Sequence, residues 1–127
     1  MGLQFSIEER LKFIPYRGKK LLSLDFSNFS LEEVNAFIAV ARKVIDAQPP
    51  NSILVFCNFT NTPATAQVVL ALQDFAHDNK PFVKASASVG LSGGRALVLN
   101  TINRFTQRSV QAFSDPDKAK NWLVSQP

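Results

Sequence analysis

The run from Ser52 to Asn58 constrains this chain most. Ile53, Leu54, Val55, Phe56 and Cys57 are consecutive strand formers with no polar residue between them. A strand with one wet face alternates apolar and polar residues; this run does not alternate. Apolar side chains on both faces belong to a central strand covered on each side, usually in a parallel sheet flanked by helices. The fold must therefore supply covering layers above and below this strand.

The neighbouring segments have the periodicity of such layers. Ser30-Leu31-Glu32-Glu33 matches a capping box, with Ser30 as cap and Glu33 three residues on. Leu31, Val34, Ile38, Ala41 and Ile45 then form one helical stripe, widened by Phe37 and Val44. Gln48-Pro49-Pro50-Asn51 ends that helix. After the central strand, Thr62 is placed to cap a second helix with Pro63 in its first position. Val68, Val69, Leu72, Phe75 and Ala76 form its core stripe, and the segment from His77 to Pro81 stops it.

Ahead of these elements the chain reads as a hairpin. Leu11 to Tyr16 and Lys20 to Phe26 flank the glycine-bearing connection Arg17-Gly18-Lys19. Pro15 in the first strand suits an edge or a strand end. Phe82 to Val89 reads as the next strand, and its Ala85, Ser86, Ala87 and Ser88 permit close approach by a helix or a partner. The segment Val89-Gly90-Leu91-Ser92-Gly93-Gly94-Arg95 then turns into a helix carrying Leu97, Val98, Ile102 and Phe105. Ser109 to Phe113 reads as a last strand. Ser114-Asp115-Pro116-Asp117 opens a final helix with Ala119, Trp122 and Leu123 inward. The order is β-β-α-β-α-β-α-β-α, an α/β fold with an N-terminal hairpin and then parallel strands with flanking helices. Residues 1–127 suit one domain, with 1–10 loosely ordered or briefly helical. Eleven phenylalanines make its core bulky.

Composition narrows the function classes. The net charge of +4 is carried by scattered lysines and arginines, not by a nucleic-acid-binding run. The aromatic residues are spaced as core, not as a stacking platform for RNA. One cysteine, Cys57, and one histidine, His77, argue against a disulfide framework and a metal site. His77 beside Asp78 reads as a surface residue near a helix C-terminus, where a positive charge suits the dipole. No serine sits in a nucleophile elbow. No apolar run approaches the ~20 residues of a membrane helix. The start of the chain lacks a basic region followed by an apolar core. The expectation is a cytoplasmic protein without cofactor, not inserted in a membrane and not an enzyme.

Two turns carry the binding candidates. Gly90, Ser92, Gly93, Gly94 and Arg95 lack both the G-x-x-x-x-G-K-S/T pattern and the G-x-G-x-x-G spacing. They offer small residues, a capping hydroxyl, free amides and an arginine in the first helical turn, where the dipole disfavours it. That junction reads either as a tight packing turn or as a contact surface or ligand site. The turn from Asn58 to Thr62 lies at the carboxyl end of the central strand, the edge where α/β sheets tend to meet ligands and partners. Thr60, Asn61, Thr62 and Thr65 gather hydroxyl and amide groups there. Thr62 reads as a helix cap, or alternatively as a phosphorylated or partner-contacting hydroxyl. Asp25 and Asn28 read as turn residues.

Several pieces, in this order, resemble a known family: the stretch from Tyr16 to Asp25, the strand Ser52-Ile53-Leu54-Val55, Asn79-Lys80-Pro81, the junction Val89-Gly90-Leu91-Ser92-Gly93, and Ala119-Lys120-Asn121-Trp122-Leu123. The pattern resembles a STAS-like domain, the fold of bacterial anti-sigma-factor antagonists and of sulfate-transporter cytoplasmic tails. It is most similar to small uncharacterised bacterial STAS-like proteins. The resemblance implies a STAS-like mixed sheet and a non-enzymatic regulatory or protein-binding module with a protein partner. In the antagonists a serine in an Asp-Ser-Ser-Gly-like motif starts the helix after the central strand and is phosphorylated by a partner kinase. Here the region reads Asn61-Thr62-Pro63-Ala64-Thr65, without that motif, and Thr62 and Thr65 are candidates by location. A small-ligand binding protein of the same fold, for an anion or a lipid, is the alternative. Homodimerisation is open, since apolar sheet edges and small-residue strands can pair.

Overall fold

The opening hairpin is closed by two residues. Arg17 and Gly18 both have positive φ, 49° and 81°, which is the pattern of a type I′ turn and matches the twist of the strands it joins. The structure, a computed structural model, describes residues 6–63, 65–90 and 110–126. A single-turn helix α1 (Ile7–Arg10) leads into β1 (Leu11–Tyr16), which pairs antiparallel with β2 (Lys19–Asp25). Pro15 lies in β1, at one end of the strand order, where a missing N–H removes no interior ladder bond.

From β2 onward every strand pairing is parallel. β2 pairs with β3 (Ile53–Asn58), β3 with β4 (Val83–Val89), and β4 with β5 (Val110–Phe113). The strand order is the chain order, β1-β2-β3-β4-β5. Parallel crossovers are right-handed. Two successive crossovers that step the same way therefore put both helices on one face. Those helices are α2 (Leu31–Asp46) and α3 (Ala66–Asn79); α4 (Pro116–Val124) packs on the other face. The helix expected over Leu97 to Phe105 lies outside the described residues.

Capping sets where α2 begins. The Ser30 hydroxyl accepts from the Glu33 backbone N–H, and the Glu33 carboxylate accepts from the Ser30 N–H. Two orphan donors of the first turn are thus satisfied. Val34, Phe37, Ile38, Ala41 and Ile45 are buried, while Leu31 is only half-buried. The second helix departs from the local expectation. It starts at Ala66, capped by the Thr65 hydroxyl accepting from Val68 N–H, and not at Pro63 capped by Thr62. Asn61 takes a left-handed φ of 57°, and the Thr62 hydroxyl is already committed to the Phe26 carbonyl at 2.8 Å. A tertiary hydrogen bond has displaced the local cap.

Two cores sandwich the sheet. On the α2/α3 face, Leu22, Leu24 and Val55 lie under Phe37, Ile38, Ala41, Ile45 and Phe75. Phe26 is the hub, with ring centroids of Phe59 at 5.0 Å, Phe37 at 5.1 Å and Phe29 at 6.2 Å. Fully burying each such ring contributes about 1.5–3 kcal/mol. On the opposite face Leu21, Leu54, Phe56, Ala85, Ala87 and Val89 meet Ala119 and Leu123 of α4. The alanines of β4 accommodate the close approach of that helix. Trp122 is half-buried, its ring 5.8 Å from Phe113. Ile53 and Val55 point to one core, Leu54 and Phe56 to the other, so β3 is covered on both faces.

Candidate functional site

The parallel register brings Asp25, Asn58 and Val89 level with one another at the carboxyl ends of β2, β3 and β4. Three connections leave from that edge, and the backbone keeps pairing for one residue beyond it. Phe26 N–H donates to the Asn58 carbonyl at 2.8 Å, and Phe59 N–H to the Val89 carbonyl at 2.9 Å. Further out, Asn28 N–H donates to the Thr60 carbonyl at 2.9 Å. The Thr62 hydroxyl reaches back to the Phe26 carbonyl. The Asn61 side-chain amide donates to the Asn28 side-chain oxygen at 3.0 Å. Asn28 and Asn61 both have left-handed φ, 61° and 57°, a conformation asparagine tolerates better than most residues.

Within the β3–α3 turn, Asn58 Oδ1 accepts from the Thr60 backbone N–H at 3.0 Å and from the Thr60 hydroxyl at 2.7 Å. Such an Asx turn holds the chain without a helix or strand partner. Gly90 lies against this turn with φ +86°, and a Cβ built on it falls 2.4 Å from Thr60 N and 2.8 Å from the Phe59 carbonyl carbon. Any side chain there would displace backbone. Arg10 closes the far side. Its guanidinium donates to the carbonyls of Asp25 (3.2 Å) and Ser27 (2.8 Å) and lies 4.3 Å from the centre of the Phe29 ring. The Asp25 carboxylate accepts from Ser27 N–H at 2.9 Å.

The edge therefore joins Thr60 and Asn61 in one hydrogen-bonded group with Asn28 and Asn58, with Gly90 packed against Thr60 and Thr65 exposed at the start of α3. Thr62 is 3% exposed, and its hydroxyl turns inward. Ser92, Gly93, Gly94 and Arg95 lie outside the described residues. Arg10, Asn28 and Asn58 complete the group and were missing from the sequence-based set. Asn28 looked like an isolated turn residue because its partners are 32 and 33 positions away, at Thr60 and Asn61. Only the parallel register pairs them.

Elsewhere, His77 is exposed on α3, and the neighbouring Asp78 carboxylate pairs with Arg42 of α2. Cys57 is half-buried beside the first core and is in no disulfide. Among the described residues no three His, Cys, Asp or Glu side chains gather as a metal site, and no helix is long and apolar enough to cross a membrane. The Glu8 carboxyl is held below the usual carboxylate range by a backbone hydrogen bond and then by the Ser6 hydroxyl. It lies on α1.

A hairpin-led five-stranded mixed sheet with α2 and α3 on one face and α4 on the other is the STAS-like, or SpoIIAA-like, fold. A solved structure similar to it is that of an uncharacterised protein of the DUF3478 family with a SpoIIAA-like fold from Shewanella loihica PV-4. The two superpose with a TM-score of 0.67 at 13% identity, over 89% of this chain and 91% of that one. No family model and no curated protein matches the sequence.

Proposed function

We propose that this chain is a non-enzymatic, STAS-like regulatory module that docks a protein partner on the carboxyl edge of its sheet, through Thr60, Asn61, Thr65 and the Gly90 corner. The supporting observation is the lacing of the β2–α2 and β3–α3 connections by Asn28, Asn58, Asn61 and Thr62. Loops already fixed in one conformation lose little entropy on association, so more of the contact energy appears as affinity. The exposed groups are amides and hydroxyls, which confer orientation through hydrogen bonds. Thr65 is the hydroxyl best placed for modification in this reading: it is exposed, and a phosphate at a helix N-terminus meets free amides. Thr62 would have to leave the core first.

The test is quantitative affinity capture from a lysate of the source cells. Baits are the wild-type chain, Asn61→Arg, Thr65→Glu, and Lys12→Glu on the exposed side of β1, each checked for native circular dichroism. A protein retained by wild type and Lys12→Glu but lost by Asn61→Arg is the expected outcome. Identical captured sets for all four baits would remove the edge from consideration as a docking surface.

A further inference from the structure

At the amino ends of the parallel strands, the opposite end from the laced loops, the surface opens into a cleft of about 370 Å³. Three lysines line it: Lys19 and Lys20 from the start of β2, and Lys84 from β4. Lys84 is placed there by an irregularity in the sheet. Ile53 pairs with Val83, but Leu54 pairs with Ala85, so Lys84 has no opposite residue on β3. Such shifts re-aim a side chain and are over-represented beside binding sites.

No carboxylate lines the cleft, and among the described residues none of the three lysines is in an ion pair. The Lys19 ammonium donates to the Gln126 carbonyl at 3.1 Å, and the Lys20 ammonium lies 4.7 Å from the centre of the Phe13 ring. Lys19 and Lys20 are successive residues of β2 and project to opposite faces, so Lys19 serves the end of α4 while Lys20 and Lys84 remain for the cleft. Two like charges beside one small volume repel one another, and an anion placed between them relieves that repulsion. The carboxyl end of α2 faces the same region and opposes an anion with about half a negative charge. Its carbonyls are partly engaged, since Gln48 donates from its backbone to Ile45 and from its side chain to Val44. Two full positive charges outweigh it. The remaining wall is mixed: Phe13, Pro49, Ile53 and Leu54 are apolar, and Gln48 and Ser52 are polar. The volume falls within the usual range of small-molecule sites, about 300–1,000 Å³.

We propose that this cleft binds a small organic dianion with an apolar body, of the phosphomonoester class. Lys20 and Lys84 take the charged head as point charges, and the ring of Phe13 with the Pro49 and Ile53 side chains takes the body. The site is separate from the docking edge and does not depend on it.

The experiment is a two-dimensional amide NMR titration of the whole chain at low salt with phenyl phosphate, inorganic phosphate and phenol as probes. Saturable shifts for phenyl phosphate confined to residues around 19–20, 52–54 and 84 are expected, weakening as salt is added. Inorganic phosphate and phenol should each bind at least about tenfold more weakly. Lys84→Gln should weaken phenyl phosphate about tenfold, while Lys118→Gln on the first turn of α4 leaves it unchanged. Shifts scattered over the surface, no saturation, or a Lys84→Gln variant that binds like wild type would overturn the proposal. Equal affinity for inorganic phosphate would overturn the assignment of an apolar body.

Discussion

Replacing Gly90 with alanine tests how tightly the carboxyl edge is built, and Gly18→Ala supplies the reference. Both glycines have similar positive φ, +86° and +81°. An L side chain in that region costs about 1–2 kcal/mol at either site. The surroundings differ. A Cβ at Gly18 meets nothing within 4 Å, whereas at Gly90 it falls 2.4 Å from Thr60 N, 2.7 Å from Thr60 Oγ1 and 2.8 Å from the Phe59 carbonyl carbon. Two of those atoms are backbone held by the ladder bond from Phe59 to Val89 and by the Asn58 side chain. Relief therefore requires moving the β3–α3 turn away from β4. Forcing extra atoms into a packed site adds about 1–3 kcal/mol. Gly90→Ala should thus lose about 2–5 kcal/mol in all, and Gly18→Ala only the first part. Urea unfolding reads the difference. With slopes of about 2 kcal/mol per M, Gly90→Ala should melt about 0.5–1.5 M below Gly18→Ala at an unchanged slope. Amide exchange should speed up at Thr60 and Thr62 in the Gly90 variant alone. Coincident unfolding midpoints for the two variants would refute the close approach of Gly90 to Thr60.

Other perturbations test neighbouring pieces of the argument. Ser30→Ala removes the hydroxyl that accepts from Glu33 N–H and should cost about 1 kcal/mol by urea or thermal unfolding; an unchanged midpoint would mean α2 does not depend on its capping box. Thr62→Val keeps the shape but removes the 2.8 Å donor to the Phe26 carbonyl, which keeps the Phe29 N–H at 3.2 Å, a loss of about 0.5–1.5 kcal/mol. Wild-type stability there would place the Thr62 hydroxyl in water and restore Thr62 as a candidate for modification. Phe26→Ala opens a hole where three rings converge and should cost about 3–5 kcal/mol, with loss of the near-ultraviolet aromatic signal as the second readout.

The elements were legible where local chemistry and long-range packing agree. Ser30 and Glu33 mark the start of α2 in the sequence and in the structure, because both partners of the capping box lie within one turn. Asp115 and Pro116 mark the start of α4 equally well, with Asp115 accepting from Asp117 N–H. Thr62 and Thr65 show the opposite case. Each has the residue type of a cap, and only the distant Phe26 carbonyl decides which of them is free to serve. The turn that follows β3 is legible from the end of its strand, whereas the parts that Asn28 and Arg10 play beside it are not. Their contacts run to Thr60 and Asn61 and to the Asp25 and Ser27 carbonyls, and no short-range pattern reports such pairings. The lysine cleft was likewise hidden, since Lys20 and Lys84 come to line it only through sheet pairing and the register shift at Ile53.

Side-chain periodicity by itself determined that this chain forms an α/β sheet with a strand buried on both faces, because the apolar run from Ile53 to Cys57 must be covered whichever way the chain turns. It also determined the hairpin and the helix order, since alternation, capping residues and turn residues act over a few positions. Tertiary structure decided the rest: both crossover helices on one face, Thr62 turned into the core, Gly90 pressed against Thr60, and basic side chains gathered at the other end of the strands. These outcomes depend on which distant backbone groups find each other. A hydrogen bond from Thr62 to Phe26, or a one-residue shift opposite Lys84, is set by the folded register and leaves no periodic trace in the chain.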